Sequence, residues 1–247
     1  MSAPGLDLPS PLVPAAFLRR PNRFVVHARL ERAHGEWSEG AEVRCHLPDP
    51  GRLTELLARG RRLWLRPADD PGRKTRWSAL LVQTPDGDGV VSVDTTLPNR
   101  LIEEALRRGA LDELEGWRFE RREFAHAGSR FDFLLGRDDG RRLVLEVKSV
   151  TLVEDGVALF PDAVTARGAR HVEELSEIAA EPGWEAAVLF VLQRDDARRI
   201  RAARAIDPDF ARALSLAGEA GVRILGRRCR VGRERIVLGE RVPAAPG

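Results

Sequence analysis

Tyrosine is missing altogether and sulfur is scarce: the 247 residues include no Tyr, one Met and two Cys. Two cysteines cannot build a multi-cysteine metal site or a disulfide framework, and His46 beside Cys45 offers too few ligands for zinc. Without Tyr, base stacking would fall to Trp and Phe. Long apolar runs are missing too. The longest, AAVLFVL at 186–192, falls far short of the roughly 20 residues that cross a bilayer. The opening stretch MSAPGLDLPSPLVPAAFLRRP lacks a basic n-region and is broken by prolines, so it does not read as a signal peptide. These absences predict a cytoplasmic protein with no membrane contact. Charge imbalance is also missing. A formal net charge of +2 names no partner, although Arg clusters can still make a local basic face. No Gly-rich phosphate loop or Ser-His-Asp arrangement is evident.

Lysine is the most informative scarcity. Of 40 basic residues, only Lys74 and Lys148 are lysines. The abundance of Ala, Arg, Gly and Pro looks like the bias of a GC-rich genome, in which Lys drifts to Arg wherever either serves. A surviving Lys marks a place where a compact, deprotonatable ammonium does something a broad guanidinium fork does not.

Residues 1–16 are Pro-rich and are expected to be loose. From Phe17 to Val93 the pattern is β, in short runs (FVVHARL, AEVRCHL, RRLWLRPA, WSALLVQT, VVSV) separated by the turn signals PDPG (48–51) and PDGDG (85–89). A helix is predicted over RLTELLARG, stopping at Gly60. Five short strands with one interposed helix suggest a small barrel of the oligonucleotide/oligosaccharide-binding (OB) kind over 17–93, with a sandwich fragment as the alternative. From 94 to 240 the pattern becomes α/β. A helix over 98–109 is followed by three strand-like runs, a helix over about 164–180, a buried strand (WEAAVLFVLQ), a helix over about 208–219 and a last strand pair. Residues 241–247 read as a tail.

Two strand-like runs hold acids where apolar residues are expected. In SRFDFLL, Asp132 sits between two phenylalanines; in RRLVLEVKSV, Glu146 sits between Leu145 and Val147, with Lys148 two positions on. Strand side chains alternate faces, so Glu146 and Lys148 share one, and a hairpin through Gly136–Gly140 brings Asp132 alongside. Converging carboxylates repel unless a hard cation such as Mg²⁺ or Mn²⁺ joins them, and its usual ligands are a few carboxylates, waters and phosphate oxygens. An Asp, then Glu-x-Lys on the next strand, after a helix bearing a Glu, is the PD-(D/E)xK pattern of restriction-endonuclease-like folds. The competing reading is a cross-strand salt bridge on a solvated face.

At these residues the chain resembles a family. EVKSVTLVEDGVALFPDAVTARGARHVEEL (146–175), LPNRLIEEAL, SRFDFLL and RCHLPDPGRL are similar to segments of the sugar fermentation stimulation (SfsA) proteins of bacteria and archaea, in order from about Asn22 to Leu225. The resemblance implies an N-terminal OB-like β-barrel followed by an α/β restriction-endonuclease-like domain with a mixed central sheet. It implies DNA binding with little sequence preference and a regulatory role in sugar (maltose) metabolism. Asp132, Glu146 and Lys148 match the acid, acid and lysine of the nuclease-like core, with Asp132 and Glu146 as metal ligands. Glu104 matches the acid of the preceding helix, and Glu103 is its rival. HLPDPGRL departs from the more usual Pro-Asn-Thr-Gly form.

Thr165, Arg167, Arg170 and His171 lie at a helix start where backbone N–H groups favour phosphate, and Asp162 could cap that helix. In the barrel, Arg23, Arg52 and Arg62 could line a basic groove, with Trp64 or Trp77 as stacking platforms or as core. Three functions follow: a DNA-binding regulator, a Mg²⁺- or Mn²⁺-dependent DNA nuclease, or a metal-free module whose acids form salt bridges. A homodimer is left open.

Overall fold

The computed structural model describes residues 3–68, 70, 72–126 and 128–247. In chain order it contains β1 (Gly5–Asp7), β2 (Val13–Asn22), β3 (Val25–Leu30), β4 (Glu42–His46), β5 (Arg62–Pro67), β6 (Trp77–Gln83), β7 (Val90–Ser92), α1 (Leu97–Arg107), β8 (Arg118–His126), β9 (Ser129–Gly136), β10 (Arg142–Val150), β11 (Leu152–Glu154) and β12 (Val157–Phe160). Then come α2 (Ala166–Ala179), β13 (Trp184–Leu192), β14 (Ile200–Ala202), α3 (Pro208–Glu219), β15 (Arg223–Val231), β16 (Arg235–Arg241) and β17 (Ala244–Ala245).

β2 to β6 wrap in the order β4-β3-β2-β5-β6, and β4 closes on β6 through Cys45↔Trp77 and His46↔Ser78. Closure removes the exposed edges that a sandwich fragment would leave. Alternation explains the inside: Val26, Ala28 and Leu30 of β3 are buried while Arg29 is exposed. β6 breaks the alternation because both its faces are covered. Trp77, Ala79 and Val82 fill the barrel, and Leu80 and Leu81 join the core of the second domain.

The second domain is a mixed seven-stranded sheet, β1-β16-β15-β13-β10-β9-β8, in which β10, β13 and β15 run parallel. Parallel strands need crossovers, and α2 and α3 provide them on one face. α1 covers the other face with Leu101, Ile102 and Ala105, sharing a core with Trp64, Leu80 and Leu81 of the barrel. Thr165 starts α2 by accepting the Gly168 N–H at 3.1 Å. Asp207 holds Thr165 through its N–H (2.7 Å) and caps α3 through the Phe210 N–H (3.0 Å). Among the described residues no helix is long and apolar enough to cross a membrane.

Three local expectations change. The first sixteen residues are not loose throughout: β1 pairs antiparallel with β16 across Gly5↔Val237, and β2 starts at Val13. The tail likewise ends in β17, paired with β14. RLTELLARG forms a single turn rather than a helix. Leu53 adopts φ +50°, its N–H goes to Asp162 at 3.3 Å, and Leu53 and Leu56 sink into the barrel core. That burial outweighs one short helix's propensity.

Candidate metal and phosphate site

β9 and β10 pair through Val144↔Leu134 and Leu145↔Phe133, and there the ladder stops. At the next step Asp132 takes over the backbone's role: its Oδ2 accepts the Val147 N–H at 2.7 Å. Its Oδ1 accepts from Asn99 Nδ2 of α1 at 2.5 Å. Glu146, on the face covered by α2, accepts from Lys148 Nζ (2.6 Å) and His171 Nδ1 (2.8 Å), both on Oε1. His171 in turn receives the Arg167 Nε–H on Nε2 at 3.3 Å. An imidazole that accepts at Nε2 carries its proton on Nδ1, so the hydrogen-bond partners assign this tautomer. The structure thus brings Asp132, Glu146, Lys148, Arg167 and His171 together, with Asn99 from the opposite layer.

The two carboxylates are driven apart electrostatically. Burial first, and the Glu146 charge second, push Asp132 up to about 6. Burial works against ionised Glu146 as well, but the His171 hydrogen bond and the Lys148 charge outweigh it and hold its carboxyl below the usual carboxylate range. Glu146 Oε2 is buried and has no partner. An ionised oxygen left bare in a buried setting costs free energy unless something cationic meets it. Among the described residues no three His, Cys, Asp or Glu side chains cluster closely enough for an all-protein metal cage. A hard divalent ion does not need one; one or two carboxylates plus water and phosphate suffice for Mg²⁺. The bare Oε2 of Glu146 offers such an ion one oxygen, and the Asp132 carboxylate lies close enough to feel the Glu146 charge.

Other expected site residues lie elsewhere. Glu104 turns away: its carboxylate takes the Gly5 N–H (3.2 Å) and pairs with Arg108 (2.5 Å). Glu103 is held by Arg107 and Arg122 at 2.8 and 2.9 Å. The α1 residue that reaches the site is Asn99, which an acid-seeking motif overlooks. His171 is 4% exposed and bonds Glu146, which leaves little of its ring to meet a phosphate. Trp64 is mostly buried in the core shared by the two domains and Trp77 in the barrel, so neither stands out as an exposed platform. Arg62 pairs with Glu31 at 2.9 Å and, with Trp64, lines a separate cavity. Arg170 is exposed near Glu174. Asp162 does not cap α2, since Thr165 does.

Arg23, Asp49, Thr165 and Asp162 instead line a cleft between the domains. Gly51 permits this closeness: a Cβ there would lie 2.3 Å from Asp162 Oδ2. Arg20 braces the barrel side by donating to the carbonyls of Arg52 (2.6 Å), Arg23 (2.8 Å) and Asp49 (3.2 Å). Burial, reinforced by Asp162 and opposed by the Gly51 N–H, pushes Asp49 up to about 6. Between the ordinary Asp value and about 6 the folded chain keeps a proton that the unfolded chain has lost, so this group's contribution to stability falls as pH rises through that window. The full loss is on the order of 3 kcal/mol. Asp49→Asn keeps the oxygen that accepts the Gly51 N–H at 2.8 Å and drops the charge. It should raise the melting temperature at about pH 8, with the gain vanishing at about pH 3.5. Thermal unfolding across pH tests this, and an equal shift at both ends refutes it.

The family model "SfsA N-terminal OB domain" matches residues 18–93, and "Sugar fermentation stimulation protein RE domain" matches residues 96–235. The sugar fermentation stimulation protein homolog of Shouchella clausii (strain KSM-K16) is 48% identical over 94% of this chain and 97% of its own length. The homolog of Moorella thermoacetica (strain ATCC 39073 / JCM 9320) is 42% identical over 92% of this chain and 93% of its own. The solved structure of Pyrococcus furiosus SfsA in complex with Ca²⁺ is 30% identical, with TM-score 0.84 and 99% coverage of each chain.

Proposed function

Because the chain belongs to the sugar fermentation stimulation protein (SfsA) family, we propose that it binds DNA with little sequence preference and hydrolyses phosphodiesters with Mg²⁺ or Mn²⁺. The observation that carries this reading is the bare, buried Oε2 of Glu146 on the carboxylate that Lys148 and His171 hold ionised. A relative that holds Ca²⁺ supports divalent-ion binding. Asp132 and Glu146 would hold the ion. When bound, it supplies Lewis-acid polarisation of a phosphate and lowers the pKa of a water.

The chain's own residues do the rest. Asn99 and the Val147 N–H fix the Asp132 carboxylate. His171 fixes the rotamer of Glu146 and leaves Oε2 free. Lys148, 13% exposed at its side chain, offers its remaining N–H bonds to a phosphate oxygen or to the attacking water. The test is incubation of labelled single- and double-stranded DNA with the full chain, with and without millimolar Mn²⁺. Cleavage that needs Mn²⁺ and disappears in Asp132→Ala is expected. No cleavage, together with no Ca²⁺-dependent rise in melting temperature, rejects the hydrolase reading.

A further inference from the structure

Phosphodiester cleavage can use one divalent ion or two. Two ions sit about 3.5–4 Å apart, and at that distance their repulsion must be met by carboxylates around and between them. This site is short of carboxylates. Among the described residues no three His, Cys, Asp or Glu side chains form a metal-holding group. Glu104 and Glu103, the acids of α1, are held in ion pairs, the first by Arg108 and the second by Arg107 and Arg122. The α1 side chain that does reach Asp132 is Asn99, a neutral amide that donates to it. The fold leaves two carboxylates, Asp132 and Glu146.

The α2 layer supplies a cation with free donors. Arg167 is exposed in the first turn of α2 and donates its Nε–H to His171 Nε2 at 3.3 Å. Its terminal amino groups have no acceptor among the described residues. On the other side of the ring, His171 Nδ1 bonds Glu146 Oε1 at 2.8 Å. One imidazole therefore separates this guanidinium from the carboxylate that Lys148 also bonds. Charge balance then counts the ions. Ionised Asp132 and Glu146 cancel Lys148 and Arg167. A phosphodiester brings one negative charge to the transition state, and the attacking water brings another as it gives up a proton. One divalent ion neutralises both. A second would leave two positive charges uncompensated beside side chains as buried as Glu146 and Lys148, where unpaired charge is costly.

We infer that the site works with a single divalent ion and that Arg167 is a catalytic residue, its terminal N–H groups meeting the phosphate where a two-ion enzyme places its second ion. This rests on the hydrolase reading above and deepens it. In the step that Arg167 assists, the water oxygen forms a bond to phosphorus and loses one proton to solvent. The ester P–O bond breaks, and the departing oxygen takes a proton from solvent. Arg167 keeps its own protons and stabilises the charge that develops on the phosphate.

The test uses the full chain and Mn²⁺. Calorimetric titration should give one Mn²⁺ per chain, and electron paramagnetic resonance should show no spin-coupled Mn²⁺ pair as the ion is raised to millimolar concentration. Arg167→Ala should keep that stoichiometry, the Mn²⁺ affinity and the melting temperature, since the side chain is exposed and holds no ion. Its single-turnover cleavage of labelled DNA should be slower by about 10²- to 10³-fold, the loss of one charged donor to the transition state. Arg212→Ala, exposed on α3 and paired only with Asp209, should change none of these. Two Mn²⁺ per chain, or an Arg167→Ala variant that cleaves like the parent, overturns the inference while the hydrolase reading stands. Loss of Mn²⁺ affinity in Arg167→Ala also overturns it, because Arg167 would then act by positioning His171. A parent that binds no Mn²⁺, or binds it without cleaving, overturns the hydrolase reading and this inference together.

Discussion

Replacing Lys148 by Ala is expected to slow cation-dependent DNA hydrolysis about 10²- to 10³-fold, the effect of removing one preorganised donor from a developing negative charge. The same change should tighten divalent-cation binding. Lys148 lies 2.6 Å from Glu146 Oε1, so its charge competes with any second cation for the same carboxylate. Asp132→Ala should act differently, losing cation binding and hydrolysis together. Single-turnover cleavage reads the rate, and the Ca²⁺-dependent rise in melting temperature reads the binding. Lys148→Arg is expected to fail nearly as badly as Ala, because a planar fork replaces a compact point charge. A purely structural salt bridge predicts otherwise: Lys148→Ala would lower the melting temperature without Ca²⁺, and no variant would alter the Ca²⁺-induced shift. Such a result would refute the catalytic role of Lys148.

Much of this site was legible because strand geometry is local. A period of two puts Glu146 and Lys148 on one face, and the short turn before Arg142 brings β9 alongside. The scarcity of lysine pointed at the same residue. The helices were legible for a similar reason: Pro98, Thr165 and Pro208 stand at their starts, and the apolar stripes of α1, α2 and α3 repeat at helical spacing. What stayed hidden was set by distant partners. β1 and β17 are too short to show alternation and exist because a sheet edge receives them. RLTELLARG has a helical stripe, but Asp162, 109 positions away, takes the Leu53 N–H and the barrel core takes its leucines. Trp64 reads as a surface platform only until α1 docks against the barrel. Glu104 has the chemistry expected of a helix acid, yet Asn99 occupies the position that faces Asp132.

His171→Ala is expected to be the most damaging single change in the α2 layer. The side chain is 4% exposed, packs 5.6 Å from the Phe131 ring and bonds Glu146. Its removal deletes a hydrogen bond to a buried charge, about 1.5–3 kcal/mol, and leaves a cavity besides. Loss of fold alone would not distinguish a packing role from a positioning one, so the isosteres decide. Asn places an amide N–H near the position of Nδ1 and can still donate to Glu146 Oε1, while it cannot reach Arg167. Gln places its amide nearer Nε2 and keeps the contact with Arg167 instead. If His171 acts by holding the Glu146 carboxylate, Asn should restore Ca²⁺ affinity and most of kcat, and Gln should restore neither although it fills the space better. KM for DNA should move little in either variant, because the buried ring touches no phosphate. Equal recovery by Asn and Gln would reduce His171 to a core residue. A rise in KM with kcat unchanged would return it to the phosphate-binding role that its place near the start of α2 suggests.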